Sequence, residues 1–128
     1  MELLSYIKML TPALLSGFLS TLKLFALTLV FAIPLGLPFA LGSISRFWPF
    51  KVLSMTYIWI FRGTPLLLQL FFIYYGLPAF GIVFDRFPAA VITFTLNYAA
   101  YFAEIYRAGI LSIDKGQYEA AKCYGFTK

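Results

Sequence analysis

The side chains of this sequence with most chemistry to offer are a few polar groups set inside apolar stretches. Thr93, Asn97, Tyr101 and Glu104 succeed one another at spacings of four, four and three, which places all four on one helical face. An amide, a phenol and a carboxylate can offer donors and acceptors to the charged groups of a solute, or bond to a neighbouring helix. For Asn97 and Tyr101 both uses stay open. Glu104 has Arg107 three residues on, and a structural i,i+3 pairing is the favoured reading for it. Arg62 precedes Gln69 by seven residues, a spacing that puts them on a common face. A guanidinium costs a few kcal/mol at the bilayer centre, so Arg62 snorkels, pairs or faces water. The plainer reading has Arg62 near an interface and Gln69 bonding another helix; the sharper one has both on a gate or solute path.

Other chemistry is excluded early. Cys123 stands alone and there is no histidine, which removes an intrachain disulfide, a two-cysteine metal site and the usual proton shuttle. No metal site and no catalysis are expected in this chain. The pattern of a phosphate-binding Walker A loop is also missing.

The elements that must position these residues are set by composition. Of 128 residues, 62% are hydrophobic and 12% charged, far more apolar than an average soluble domain. About 20 apolar residues of helix cross the hydrocarbon core of a membrane. Residues 24–45 and 63–84, 22 each, and 87–103, 17 in all, carry no Asp, Glu, Lys or Arg. A bare backbone finds no partner in lipid, so each span is expected to be helical. The expected architecture is an all-α membrane protein with three transmembrane helices, at about 20–42, 52–77 and 87–107. A cleavable secretory signal is disfavoured, because Glu2 is acidic, the first basic residue is Lys8 and the apolar run is too long.

The net charge of +5 comes from cations scattered between apolar runs, with no basic stripe for nucleic acid. Topology accounts for them. With the N-terminus outside, Arg46, Lys51, Arg62, Arg107, Lys115, Lys122 and Lys128 fall at or beyond inner ends, and Lys8, Lys23 and Arg86 outside. That split predicts an N-out, C-in, multi-pass chain.

Along the chain, residues 2–22 read as a short interfacial lead-in in which Thr11 caps a helix with Pro12 in its first turn. Lys23 snorkels at the outer end of the first span, and Pro34 and Pro38 are expected to kink its inner half. Residues 43–50 form a cytoplasmic loop anchored by Trp48 and Pro49. The second span, interrupted at Arg62–Gly63–Thr64–Pro65, is long, broken or tilted. Residues 76–86 make the outer connection, and a third helix starts near Pro88. Asp114 and Gln117 have the spacing of a capping box, so a short helix is expected from about Lys115 to Tyr124, ending at Gly125.

Three segments, FRGTPLLLQLFFIYYGLP (61–78), NYAAYFAEIYRAGILSI (97–113) and KGQYEAAKCYG (115–125), resemble the permease subunits of polar amino-acid importers of the ATP-binding-cassette type, and they stand in that family's order. The resemblance implies the core of a type I importer permease, with about five membrane helices and a cytoplasmic EAA loop between the third and fourth. This sequence carries three helices and the first half of the loop, coupling segment 112–128. It departs from the family's habit at Ala99 and Ala108, where glycine is common, at Asp114, where proline is common, and at Cys123–Tyr124.

The resemblance also implies where function resides. Glu119, Ala120, Ala121 and Gly125 match the EAA motif, whose helix in that family docks in a groove of an ATPase subunit. Small alanines allow close approach, the glycine ends the helix, and a carboxylate in the first turn suits the helix dipole; the plainer reading is a capped surface helix. Arg62, Gln69, Asn97, Tyr101 and Glu104 become candidates for the translocation path. The implied partners are an ATPase subunit holding ATP and Mg, a second permease subunit (the same or different), an external amino-acid-binding protein and the lipid of the cell inner membrane. The chain itself needs no cofactor. The competing readings are a non-transporting truncated fragment and a small channel-like protein; a reading frame continuing past Lys128 into two more apolar spans separates the first from a permease. By itself the 128-residue chain is expected not to transport.

Overall fold

The computed structural model describes residues 1–127; Lys128, one of the expected inner cations, lies outside them. Five α-helices succeed one another in the order α1 (Glu2–Ser43), α2 (Trp48–Gly63), α3 (Leu66–Phe71), α4 (Arg86–Leu111) and α5 (Lys115–Cys123). A π-helical turn, Phe72–Gly76, and a 3-10 turn, Leu77–Phe80, continue α3 without a break. Together these three form a limb, Leu66–Phe80.

The first helix differs from its expected form. It runs unbroken from Glu2, and Thr11 does not cap a new start: its hydroxyl donates to the Ile7 carbonyl one turn back, at 2.6 Å. Pro12 sits inside the helix because a proline there removes one backbone bond without requiring the chain to stop. At 42 residues α1 is about 63 Å long, more than the full thickness of a bilayer with its headgroups. Pro34 and Pro38 also lie within it. Trp48 and Pro49, read as loop, already belong to α2, where Pro49 occupies the first turn and its missing N–H would have had no helical partner.

The second span is broken. Pro65 has no N–H to continue the ladder, and α2 and the limb meet at 106°. Among the described residues, α1 alone is long and apolar enough by itself to cross a membrane; α2 and the limb meet that test only together. α4 has 26 residues, but its polar stripe dilutes its apolar character.

α1 and α4 run parallel, as Lys23 over the Phe87 ring at one end and Ala40 beside Ala103 at the other attest. α2 packs against both, and the limb runs back along α4, from Gln69 beside Asn97 to Tyr74 near Arg86 and Ala90. The seam of α1 with α4 is made of small residues: Ala32, Ala40, Ala99, Ala100 and Ala103 have no exposed surface. Gly36 is required there by distance. A Cβ on it would stand 2.9 Å from the Phe102 Cβ and 3.0 Å from the Ala99 carbonyl. Small residues on helical spacing allow such backbone approach where lipid supplies no hydrophobic drive. α2 joins through Ile58, packed with Ala40 and Ala103, and through Tyr57, stacked on Phe39 at 4.1 Å between centroids and donating to the Leu96 carbonyl.

Candidate translocation and coupling sites

The polar stripe of α4 divides into a buried and a half-exposed part. Thr93 is fully buried and spends its hydroxyl on its own helix, donating to the Ala89 carbonyl at 2.7 Å. Asn97 is buried, with 4% exposure, and its amide reaches across to the break in the second span. The Asn97 Nδ2 donates to the Phe61 carbonyl at 3.2 Å and to Gln69 Oε1 at 3.0 Å. Gln69 Nε2 in turn donates to Phe61 O at 3.0 Å and is shared with Thr64, whose Oγ1 lies at 2.7 Å. Thr64 closes the end of α2 by donating its hydroxyl to Ile60 O at 2.8 Å.

This arrangement overturns one expectation from spacing. Arg62 and Gln69 do not share a helical face, because the break falls between them; Gln69 lies on the limb and folds back onto the end of α2. Asn97 and Gln69 are nevertheless brought together. The focus of both amides, the Phe61 carbonyl, escaped the sequence reading. Its signal was Pro65, four residues on, which withdraws that carbonyl's helical donor.

On the half-exposed side of the stripe, Glu104 holds two arginines. Its Oε1 accepts from Arg107 Nη1 at 3.3 Å, the pairing its spacing allows, and its Oε2 lies 3.6 Å from Arg62 Nη1 on α2. The Arg62 guanidinium also lies over the Tyr101 ring, 5.7 Å from its centre. The Arg62 and Glu104 side chains keep 41% and 32% of their surface exposed, so water and salt screen the pair. All five candidates, Arg62, Gln69, Asn97, Tyr101 and Glu104, therefore gather where α2, the limb and α4 meet. Charged, aromatic and amide groups are presented there within one neighbourhood.

The candidate coupling residues stand apart, on α5 and at its C-terminal closure. Asp114 caps this helix, its Oδ1 accepting from the Gly116 N–H at 3.0 Å. At the other end Gly125, with φ +81°, donates to Lys122 O, and the Phe126 N–H reaches Ala121 O, each at 3.0 Å. This is a Schellman closure with a left-handed glycine. None of the helix's residues is buried, so Glu119, Ala120 and Ala121 have free surface. One expectation needs correcting: the helix begins at Lys115 and its first turn has no acidic residue. Glu119 lies in the second turn, where the dipole of the helix end has largely faded.

The sequence family described as "Binding-protein-dependent transport system inner membrane component" matches residues 32–128. The L-cystine transport system permease protein TcyB of Bacillus subtilis (strain 168) is 46% identical over 116 residues, covering 91% of this chain and 50% of TcyB. The arginine transport system permease protein ArtQ of the same organism is 47% identical over 115 residues, covering 89% of this chain and 52% of ArtQ. A solved structure, described as an amino acid ABC transporter with histidines, superposes with a TM-score of 0.89 at 45% identity, covering 97% of this chain and 57% of that one. The chain spans about half the length of the curated relatives it matches. Similar to permeases of amino-acid ABC transporters, the chain belongs to the family of binding-protein-dependent transport system inner membrane components.

Proposed function

We propose that this chain forms part of the translocation path of an ATP-driven importer of polar amino acids, and that α5 is the surface by which it engages a separate ATPase subunit. The observation that carries the proposal is α5 itself. It is a helix with no buried residue, capped by Asp114, closed by a left-handed Gly125 and faced with alanines. A helix so firmly terminated at both ends, with no buried residue of its own, is built to present a surface to something else.

The rest of the proposal rests on the same topology. Three membrane crossings, at about 20–42, 52–77 and 87–107, with the N-terminus outside, put segment 112–128 on the cytoplasmic side, where ATP and Mg would be held by the partner. A second permease subunit completes the path from the opposite side, and an external binding protein delivers the amino acid. The two named relatives transport cystine and arginine, which supports a polar amino acid as the cargo class. The cluster of Arg62, Tyr101 and Glu104 supplies groups of both signs for its ammonium and carboxylate.

The test is docking. In a full-length version, Gly125→Val forces a β-branched residue into a left-handed conformation, costing about 1–2 kcal/mol at the helix end and re-aiming the chain. The space around Gly125 is open, so the effect comes from backbone strain and not from a clash. Glu119→Lys reverses a charge on the exposed face. Both variants are expected to insert normally and to recover less ATPase subunit on co-purification at matched expression. Unchanged recovery with unchanged substrate-stimulated ATP hydrolysis for both would sink the coupling assignment.

A further inference from the structure

The broken second span has a feature that neither a transport path nor a docking helix explains. Beyond Pro65 the limb leans on α4, and Ile73 is its only buried residue. The connection to α2 passes through Gly63, Thr64 and Pro65, all exposed. Two of the limb's three pieces are a π-helical and a 3-10 turn, the looser and tighter windings that recur at functional irregularities in helices. Against this slender packing stands a concentrated set of hydrogen bonds at the hinge.

Pro65 leaves the Phe61 carbonyl without its helical donor. In lipid such a group is expensive to leave bare. Two side-chain amides serve it, one from the limb (Gln69, 3.0 Å) and one from α4 (Asn97, 3.2 Å), and they also bond to each other at 3.0 Å. The carbonyl thus belongs to α2, while its donors belong to the two elements that must stay together for the limb to stay down. We infer that Thr64–Pro65 is a hinge and that Asn97 is the positioning residue of its latch: together with Gln69 its amide replaces the N–H that Pro65 lacks, and by bonding both Phe61 O and Gln69 it holds the limb against α4. Loss of that amide releases the limb while leaving α2, α1 and the α1/α4 seam in place. The limb is held in this way whichever solute is carried.

A double-mutant cycle between Asn97 and Pro65 tests it in the full-length permease, with Cys123→Ser as background. Leu70 and Ala90 line the same groove between limb and α4, and Leu70→Cys with Ala90→Cys reports their approach by the rate of disulfide formation under a mild oxidant. Asn97→Ala is expected to slow that rate about three-fold or more when residue 65 is proline, the scale of an interhelical hydrogen bond in a membrane. It should also lower the thermal midpoint in detergent. In a Pro65→Ala background the alanine N–H can serve Phe61 O, and Asn97→Ala should then lower the midpoint by less than half as much, the remainder being its bond to Gln69 Oε1. Gln69→Ala, on the limb, reads the same cycle if Asn97→Ala accumulates poorly. Equal losses in both backgrounds would mean that Asn97 only packs α4 and would overturn the latch, as would an unchanged crosslinking rate in the Pro65 parent. Neither readout involves the ATPase, so failure here is distinct from failure of the docking test.

Discussion

α4 is held on two sides by seams of opposite kind. Against α1 it presents Ala99, Ala100 and Ala103 to Ala32, Gly36 and Ala40, a contact so close that a single Cβ at Gly36 would press on backbone atoms. Against α2 and the limb it presents Asn97, Tyr101 and Glu104, which meet their partners through hydrogen bonds, an ion pair and a ring face. The first seam offers no alternative arrangement, because dispersion between small residues falls off within a fraction of an ångström. The second is made of directional groups that can exchange partners, and it borders the 106° bend between α2 and the limb. One helix thus has a fixed side and an adjustable side.

The largest expected effect comes from attacking the fixed side. Gly36→Val in the full-length permease should lose about 2–3 kcal/mol of stability, since neither the Ala99 carbonyl nor the Phe102 Cβ can move aside without shifting α4. Gly63→Val is the matched control on the adjustable side. Nothing lies within 4 Å of a Cβ placed there, and a change within about 0.5 kcal/mol is expected. Denaturation in mixed detergent measures both. Similar losses at the two glycines would erase the distinction between the seams.

The sequence made the two seams unequally visible. Apolar runs without charges located the helical stretches, and the spacing of Thr93, Asn97, Tyr101 and Glu104 placed one face of α4 correctly, because helical period and lipid solvation act locally. Where the outcome depended on competition between elements, local rules fell short. Thr11–Pro12 has the form of a helix start, yet nothing competes with α1 for its course and the helix runs through. The Arg62–Gln69 spacing has meaning only if the helix is continuous, and Pro65 ended that continuity. The dipole argument for Glu119 failed by one turn although the start of α5 at Lys115 was read correctly, because Glu119 is the fifth residue of that helix and lies beyond its first turn. Gly36 carried no local mark at all. Its necessity lies in Ala99 and Phe102, more than sixty residues away in the chain.

A smaller effect is expected from the ionic part of the adjustable side. Glu104→Gln leaves Arg62 and Arg107 facing each other's neighbourhood without the carboxylate between them. Because these side chains are about one-third exposed, screening limits the loss to about 1 kcal/mol. The loss should shrink as salt is raised, which separates it from the salt-independent loss at Gly36. A deficit at Glu104→Gln that is the same in low and high salt would assign the residue to packing and remove the ion pair from the account.

The smallest effect sharpens the comparison most, because it uses the same kind of bond on the opposite side. The Tyr106 hydroxyl donates to the Ile33 carbonyl of α1 at 3.2 Å, as the Asn97 amide donates to Phe61. The two carbonyls are not equivalent. Four residues after Ile33 stands Leu37, which has an N–H to give within the helix; four residues after Phe61 stands Pro65, which has none. Tyr106 therefore adds a second donor to a carbonyl already served, and its ring, packed against the cluster of Ala40, Ile58 and Ala103, remains when the hydroxyl is removed. Tyr106→Phe should lose about 0.6 kcal/mol or less, near the average for interhelical hydrogen bonds in a membrane protein. Asn97→Ala should lose more, because it removes two bonds at once: one of the two side-chain donors to a carbonyl that has no backbone donor, and the bond to Gln69 Oε1. If the two substitutions prove equal in the same denaturation assay, the proline at the break is not what makes the Asn97 bond matter, and the adjustable side is held by packing like the fixed one.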